Sequence, residues 1–190
     1  MIYEKIVKRR TIRKFTQEPV SKETIKRCLD AARLSPSGMN RQPLKYVIVN
    51  DEKLLEEVFG TTSWAGYLPS YEPSTEEMPR AYIIVLLDKR IKKNVGHDAG
   101  IAVMSISMVA YEEGLGSCIL GAIDRPKLRS ILRIPEDLDI VLAVALGHPA
   151  EKPVTDRVKN EDIKYWLDET GNIHVPKREL KDVCSWNICS

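Results

Sequence analysis

The chain has 190 residues, 43% hydrophobic and 29% charged, enough to bury one core without disulfide staples. Its formal charge is only +2, and no basic stripe with interleaved aromatics appears, which argues against a nucleic-acid binder. The longest apolar run, Ala99 to Tyr111, is about a third short of a ~20-residue membrane span, and no charged-then-apolar leader opens the chain, so a cytoplasmic protein is expected.

Arg9-Arg10-Thr11-Ile12-Arg13 comes first, with three guanidiniums and a hydroxyl in five residues. Guanidinium forks match phosphate oxygens, so this segment reads as an anion site. Ser21 is the expected N-cap of a helix whose Ile25, Cys28, Leu29 and Ala32 share one face, and Pro36 ends it. Ser35-Pro36-Ser37-Gly38-Met39-Asn40-Arg41-Gln42-Pro43 then forms a rigid, donor-rich loop. Tyr46–Val49 reads as a strand, and Asp51 caps a helix through Val58 that Gly60 stops. Thr61 to Pro79 holds Gly66, Pro69 and Pro73 with Trp64, Tyr67 and Tyr71. It predicts a long irregular loop of the kind that forms lids and ligand walls.

Ala81–Leu87 is the second strand. The helix from His97 to Glu113 is apolar all round, which predicts burial on all sides, in part by a second subunit. Gly114 and Gly116 close it, and termination accounts for both. Ser117–Gly121 is the third strand, Asp124 opens a helix to Arg133, and Ile140–Leu146 is the fourth strand. Beyond Ala150 the chain is charged and weakly periodic, a tail that frays or is tied to a partner, with Trp166 as an anchor to a neighbour.

Cys28 and Cys118 read as buried small hydrophobes. Cys184 and Cys189 leave open a tail disulfide or a metal site, but no histidine nearby completes a zinc set. His97, His148 and His174 are far apart and read as capping or packing residues, so no metal is expected. Strands separated by helices predict a layered α/β or α+β domain over residues 1–190, with 151–190 as a C-terminal extension. Neither G-x-G-x-x-G nor a P-loop occurs, so any phosphate must be held by side chains.

Four ordered motifs carry a resemblance. Arg9-Arg10-Thr11-Ile12-Arg13-Lys14-Phe15 resembles the R-R-S-x-R-x-F opening of the FMN-dependent nitroreductase family, and Ser35 to Pro43 its S-P-S-x-x-N-x-Q-P loop. Gly114-Leu115-Gly116-Ser117-Cys118 is similar to its G-L-G-S/T-C element, and Leu146-Gly147-His148-Pro149 to its late L-G-x-P turn. The family implies an α+β sandwich with a central mixed or antiparallel sheet flanked by helices, dimerising with FMN in the interface and a C-terminal tail on the partner.

By position, the resemblance implies that Arg9, Arg10, Thr11 and Arg13 hold the phosphate, ribityl chain and pyrimidine edge. Pro36, Ser37, Gly38 and Asn40 would come from the other subunit. Leu120, Gly121 and Ala122 would line the ring, and Arg157 would close on the phosphate. Thr11 replaces the usual serine and keeps its hydroxyl. The Thr61 to Pro79 segment lacks the polar residues that well-known members place over the flavin. The implied activity is an NAD(P)H oxidoreductase reducing nitro compounds, quinones or similar acceptors by ping-pong hydride transfer on FMN, which needs no acid–base side chain. The alternatives are a family cousin with dehalogenase or flavin-fragmenting chemistry, and a non-catalytic flavin-binding redox sensor.

Overall fold

The computed structural model describes residues 1–68 and 71–188, so Pro69 and Cys189 lie outside the described residues. Strands β1 (Leu44–Val49), β2 (Ala81–Asp88), β3 (Gly116–Leu120) and β4 (Leu138–Gly147) form one sheet in the order β1-β2-β4-β3, antiparallel throughout. Its helices are α1 (Ile2–Lys8), α2 (Lys22–Leu34), α3 (Glu52–Phe59), α4 (Asp98–Glu112) and α5 (Arg125–Leu132).

β2 is buried along its whole length because side chains alternate across a strand and helices cover both faces. Ala81, Ile83 and Val85 pack with Ile25 and Cys28 of α2 and with Ala102 and Ile106 of α4. Tyr82, Ile84 and Leu86 pack on the opposite side with Leu55 and Val58 of α3 and Leu128 of α5. The result is an α+β sandwich, the expected class. Burying an Ile or Leu fully is worth about 1.5–3 kcal/mol, so this central strand carries much of the driving force.

The helix limits follow local chemistry. The Ser21 hydroxyl accepts from the Thr24 N–H at 3.0 Å, and α2 stops at Leu34, before Pro36. Asp51 and Asp124 cap α3 and α5, each accepting at 3.1 Å from Leu54 and Lys127. Gly114 ends α4 at φ +78°, a left-handed turn that glycine tolerates. Cys28 and Cys118 are buried, and burial pushes their thiols up to about 11 and about 12.

Four expectations change. Helix α1 is an addition: Ile2/Ile6 and Tyr3/Val7 are i,i+4 pairs, yet none of its residues is buried. Helix α4 keeps one side open in the single chain, where Ile101 and Met104 are exposed. Strand β3 begins at Gly116 and ends at Leu120, so Gly121 lies past it.

The fourth change is the tail. β5 (Val154–Arg157), β6 (Trp166–Leu167) and β7 (Ile173–Lys177) form a small sheet in the order β5-β7-β6. Ile173 is fully buried with Ala65 and Tyr71. His174 Nδ1 lies 2.6 Å from Asp156, its Nε2 lies 3.1 Å from Asp168, and Trp166 stacks on its ring at 4.2 Å. Trp166 thus has an anchor within its own chain, and about half of it stays exposed. A few specific anchors replace periodicity here, which is why the pattern looked weak. Past β7, Leu180, Val183, Trp186 and Ile188 are exposed.

Candidate functional site

The Arg9 to Arg13 segment is laid along β3. Thr11 bridges Ser117 in parallel register, and the Ile12 N–H donates to the Ser117 carbonyl at 3.0 Å. Ile12 is buried and packs into the α3/α5 core. Gly116 makes this possible: a Cβ there would meet the Ile12 Cβ and Cγ1 at 2.6 Å. Termination of α4 therefore explains Gly114 but not Gly116, whose missing side chain admits Ile12. Gly147 plays the same part for Phe15, whose Cδ1 would lie 2.8 Å from a Cβ.

The main chain is thus tied down while side-chain donors are left over. Arg9 Nε and Arg13 Nη1 are buried, and neither has a hydrogen-bond partner among the described residues. Burial first, and the Arg10 charge second, hold the Arg9 pKa below its usual value, and no ion pair of Arg9 occurs among the described residues. A buried guanidinium donor without a partner is costly unless an anion pairs with it. The Arg10 guanidinium is engaged: Nε donates to Thr155 Oγ1 on β5 at 2.6 Å, and its other nitrogens reach the Arg9 and Val7 carbonyls. The Arg13 guanidinium carbon sits over the Tyr165 ring, 5.1 Å from its centre, a cation–π contact.

The second loop behaves differently. Asp98, buried at the start of α4, accepts from the Gly38 N–H at 3.0 Å, Ser37 Oγ at 3.3 Å and Lys92 Nζ at 3.0 Å. The Gly38 N–H bond is the leading cause holding the Asp98 carboxyl below the usual range; burial opposes it, and Lys92 reinforces it. Pro36, Gly38 and Asn40 are exposed. Met39, Asn40 and Gln42 have φ of 56°, 53° and 50°, the left-handed region, at a cost of about 1–3 kcal/mol each. Pro36 and Ser37 also border a cleft of about 560 Å³ beside Leu29 and Tyr46.

Ser37 through Asn40 lie by α4, whereas Ile12 packs on the opposite face of the sheet. Among the described residues no hydrogen bond or ion pair joins the two motifs. Leu120 is buried at the end of β3, with Gly121 and Ala122 exposed just beyond. The Ala122 carbonyl accepts from the Ser63 N–H at 3.0 Å, and the Gly121 carbonyl from Arg125 Nη2 at 3.2 Å. Space around Gly121 is open, with nothing within 4 Å of a built Cβ. Arg157 is two residues from Thr155 on β5, but its side chain is exposed and meets Glu179 at 3.4 Å instead of joining the other arginines.

The nitroreductase family pattern matches residues 6–148. The chain belongs to the nitroreductase family. A Methanothermobacter thermautotrophicus protein, provisionally named NADH dehydrogenase/NAD(P)H nitroreductase, is 32% identical over 161 residues, covering 81% of this chain and 80% of its own. The iodotyrosine deiodinase of Thermotoga neapolitana is 25% identical over 181 residues, covering 86% and 96%. A Desulfovibrio desulfuricans nitroreductase structure in complex with FMN has a TM-score of 0.71 and 27% identity, covering 88% and 96%.

Several residues of this nitroreductase-family site stand in none of its motifs. Glu151 receives the Arg13 and Lys14 N–H groups and the Tyr71 hydroxyl; Thr155 holds Arg10; Tyr165 underlies Arg13. Burial and the Glu151 charge push the Tyr71 hydroxyl pKa up. Trp64 is buried in the core, whereas Tyr67 is exposed and packs on Tyr165 at 4.9 Å. Among the described residues no cluster of three metal-ligating side chains occurs, and no helix is long and apolar enough to cross a membrane.

Proposed function

We propose that this chain is an NAD(P)H-dependent FMN oxidoreductase reducing nitro compounds, quinones or similar electron-poor acceptors, working as a homodimer with FMN at the subunit interface. The carrying observation is the pair of buried guanidinium donors, on Arg9 and Arg13, without partners. They fit the anionic phosphate and the electron-rich edge of FMN, and the segment bearing them matches the family.

Bound FMN supplies the two-electron chemistry between NAD(P)H and acceptor. Arg9, with the N–H groups that Arg10 does not give to Thr155 and the Arg9 and Val7 carbonyls, would hold the phosphate beside the Thr11 hydroxyl. Arg13, over the Tyr165 ring, keeps a donor for negative charge at the pyrimidine edge. Such a preset donor is typically worth about 3–4 kcal/mol. Leu120, Gly121 and Ala122 form an open ledge for the flavin ring. Arg157, on β5 near Thr155 and exposed beside Glu179, would be a further cation for the phosphate. No proton-transferring side chain is assigned, since solvent protonates the reduced acceptor.

The placement of Ile12 and of the Ser37–Asn40 loop on opposite faces of the sheet supports a dimer in which Pro36, Ser37, Gly38 and Asn40 would reach the flavin from a second copy. The open apolar sides of α1 and α4, joined by the Lys5–Glu112 ion pair, supply contact area, and Leu180, Val183 and Trp186 suit an extension lying on the partner.

The test is a visible absorption spectrum of the purified protein with FMN, followed by anaerobic NADH and then NADPH. A flavin spectrum that bleaches with either, and recovers with menadione, supports the reading. Absence of flavin binding sinks it, and binding without turnover favours a redox sensor. The Thermotoga relative motivates one second reading, reductive dehalogenation; iodide release from iodotyrosine under the same reductant would favour it.

A further inference from the structure

Glu151, just past the Gly147-His148-Pro149 turn, stands in none of the family motifs. Its Oε1 accepts from the main-chain N–H groups of Arg13 and of Lys14, the latter at 3.3 Å. Its Oε2 accepts from the Tyr71 hydroxyl at 3.0 Å. The backbone beside it is paired too: the Ala150 N–H donates to the Lys14 carbonyl at 2.9 Å, and Phe15 bridges Pro149. Lys14 Nζ lies 5.4 Å from the Tyr71 ring centre and 2.9 Å from Glu77. The far end of the 61–79 segment is therefore fastened to residues 13–15. Its near end is fastened by Ser63 to Ala122. Residues 61–68 thus meet the ledge at 120–122, and residues 71–79 meet residues 13–15.

We infer that Glu151 is a positioning residue: its carboxylate locks the main chain beneath Arg13 and the Tyr71 end of the 61–79 segment into one unit, so that one side chain sets both the anion cradle and the wall facing the acceptor. The inference rests on the flavin reading above. A carboxylate suits the task because both oxygens only accept, and three donors converge on them. Glutamine keeps one acceptor for the main chain and turns an amide toward Tyr71. Alanine removes both.

The experiment compares the parent with Glu151→Gln, Glu151→Ala and Tyr71→Phe. Amide hydrogen exchange at Arg13 and Lys14 is read in the flavin-free protein. FMN affinity is read by fluorescence titration, and KM and kcat with menadione. Glu151→Ala is expected to speed exchange at both amides and to weaken FMN at least tenfold. Glu151→Gln and Tyr71→Phe are expected to raise the KM for menadione several-fold at little changed kcat, with the double variant no worse than either. Parent-like exchange and FMN affinity in Glu151→Ala overturn the inference, as does a parent-like KM in Tyr71→Phe, which removes the hydroxyl and also serves if the alanine variant fails to fold. A parent that binds no FMN overturns the functional reading instead, and the exchange rates then still decide whether Glu151 holds that main chain.

Discussion

The Arg9–Arg13 segment and the Ser35–Pro43 loop are both short, polar and rich in donors, yet the fold uses them in opposite ways. In the first, the main chain is clamped to β3 and Glu151, while Arg9 Nε and Arg13 Nη1 stay buried without partners. In the second, Ser37 and Gly38 give their donors to Asp98, and the loop stores left-handed backbone at Met39, Asn40 and Gln42. The first region is short of an anion; the second is satisfied internally and presents a fixed shape. The proposed ligand site is marked by what is left unpaired, and the surface proposed to face a second copy by what is held rigid.

The largest effect expected is at the unpaired donors. Replacing Arg9 and Arg13 together by alanine removes two charge-assisted contacts worth about 1.5–3 kcal/mol each, so FMN affinity measured by titration should fall at least a hundredfold. Asp98→Ala should instead cost about 2–3 kcal/mol of folding stability in urea melts, because Lys92 and the Gly38 N–H lose a buried partner. Flavin affinity should then fall only as the 36–40 loop loosens. The Asp98 carboxyl is held low, so its contribution is present above the ordinary carboxylate range and is lost as pH falls through the depressed value.

Gly116→Ala should weaken both quantities. The new Cβ collides with Ile12, at about 1–3 kcal/mol for overpacking, and shifts the segment that carries the arginines. If stability falls with unchanged FMN affinity, the segment's docking does not set the site. The smallest effect concerns the tail sheet. Both His174 nitrogens face carboxylates, so only the protonated ring donates to Asp156 and Asp168 together, and these bonds raise its pKa. That contribution is full below the ordinary histidine value and is lost as pH rises through the raised one. Fluorescence of the stacked Trp166 should follow the same titration, and His174→Gln should abolish it.

Much of this was legible in the sequence because it is local. Ser21, Asp51 and Asp124 act on amides within three residues, and the alternating strands needed only their own pattern. The anion segment was legible from residue type alone. What was missed is long-range. Glu151 meets Arg13 across 138 positions and Tyr71 across 80, and Thr155 meets Arg10 across 145. Gly116 looked like a helix stop because the reason for its missing side chain, Ile12, lies 104 residues earlier in the chain. Helix α1 escaped because it buries nothing in the single chain.

The central claim is that Arg9 and Arg13 bind the phosphate and flavin edge of FMN. The most direct measurement is a paired titration of the flavin-free protein with FMN and with riboflavin, which lacks the phosphate, in the parent and in the Arg9→Ala/Arg13→Ala variant. The account predicts that the parent binds FMN at least a hundredfold more tightly than riboflavin and that the preference collapses in the variant. Equal affinity for the two ligands in the parent, or a preference that survives in the variant, contradicts it.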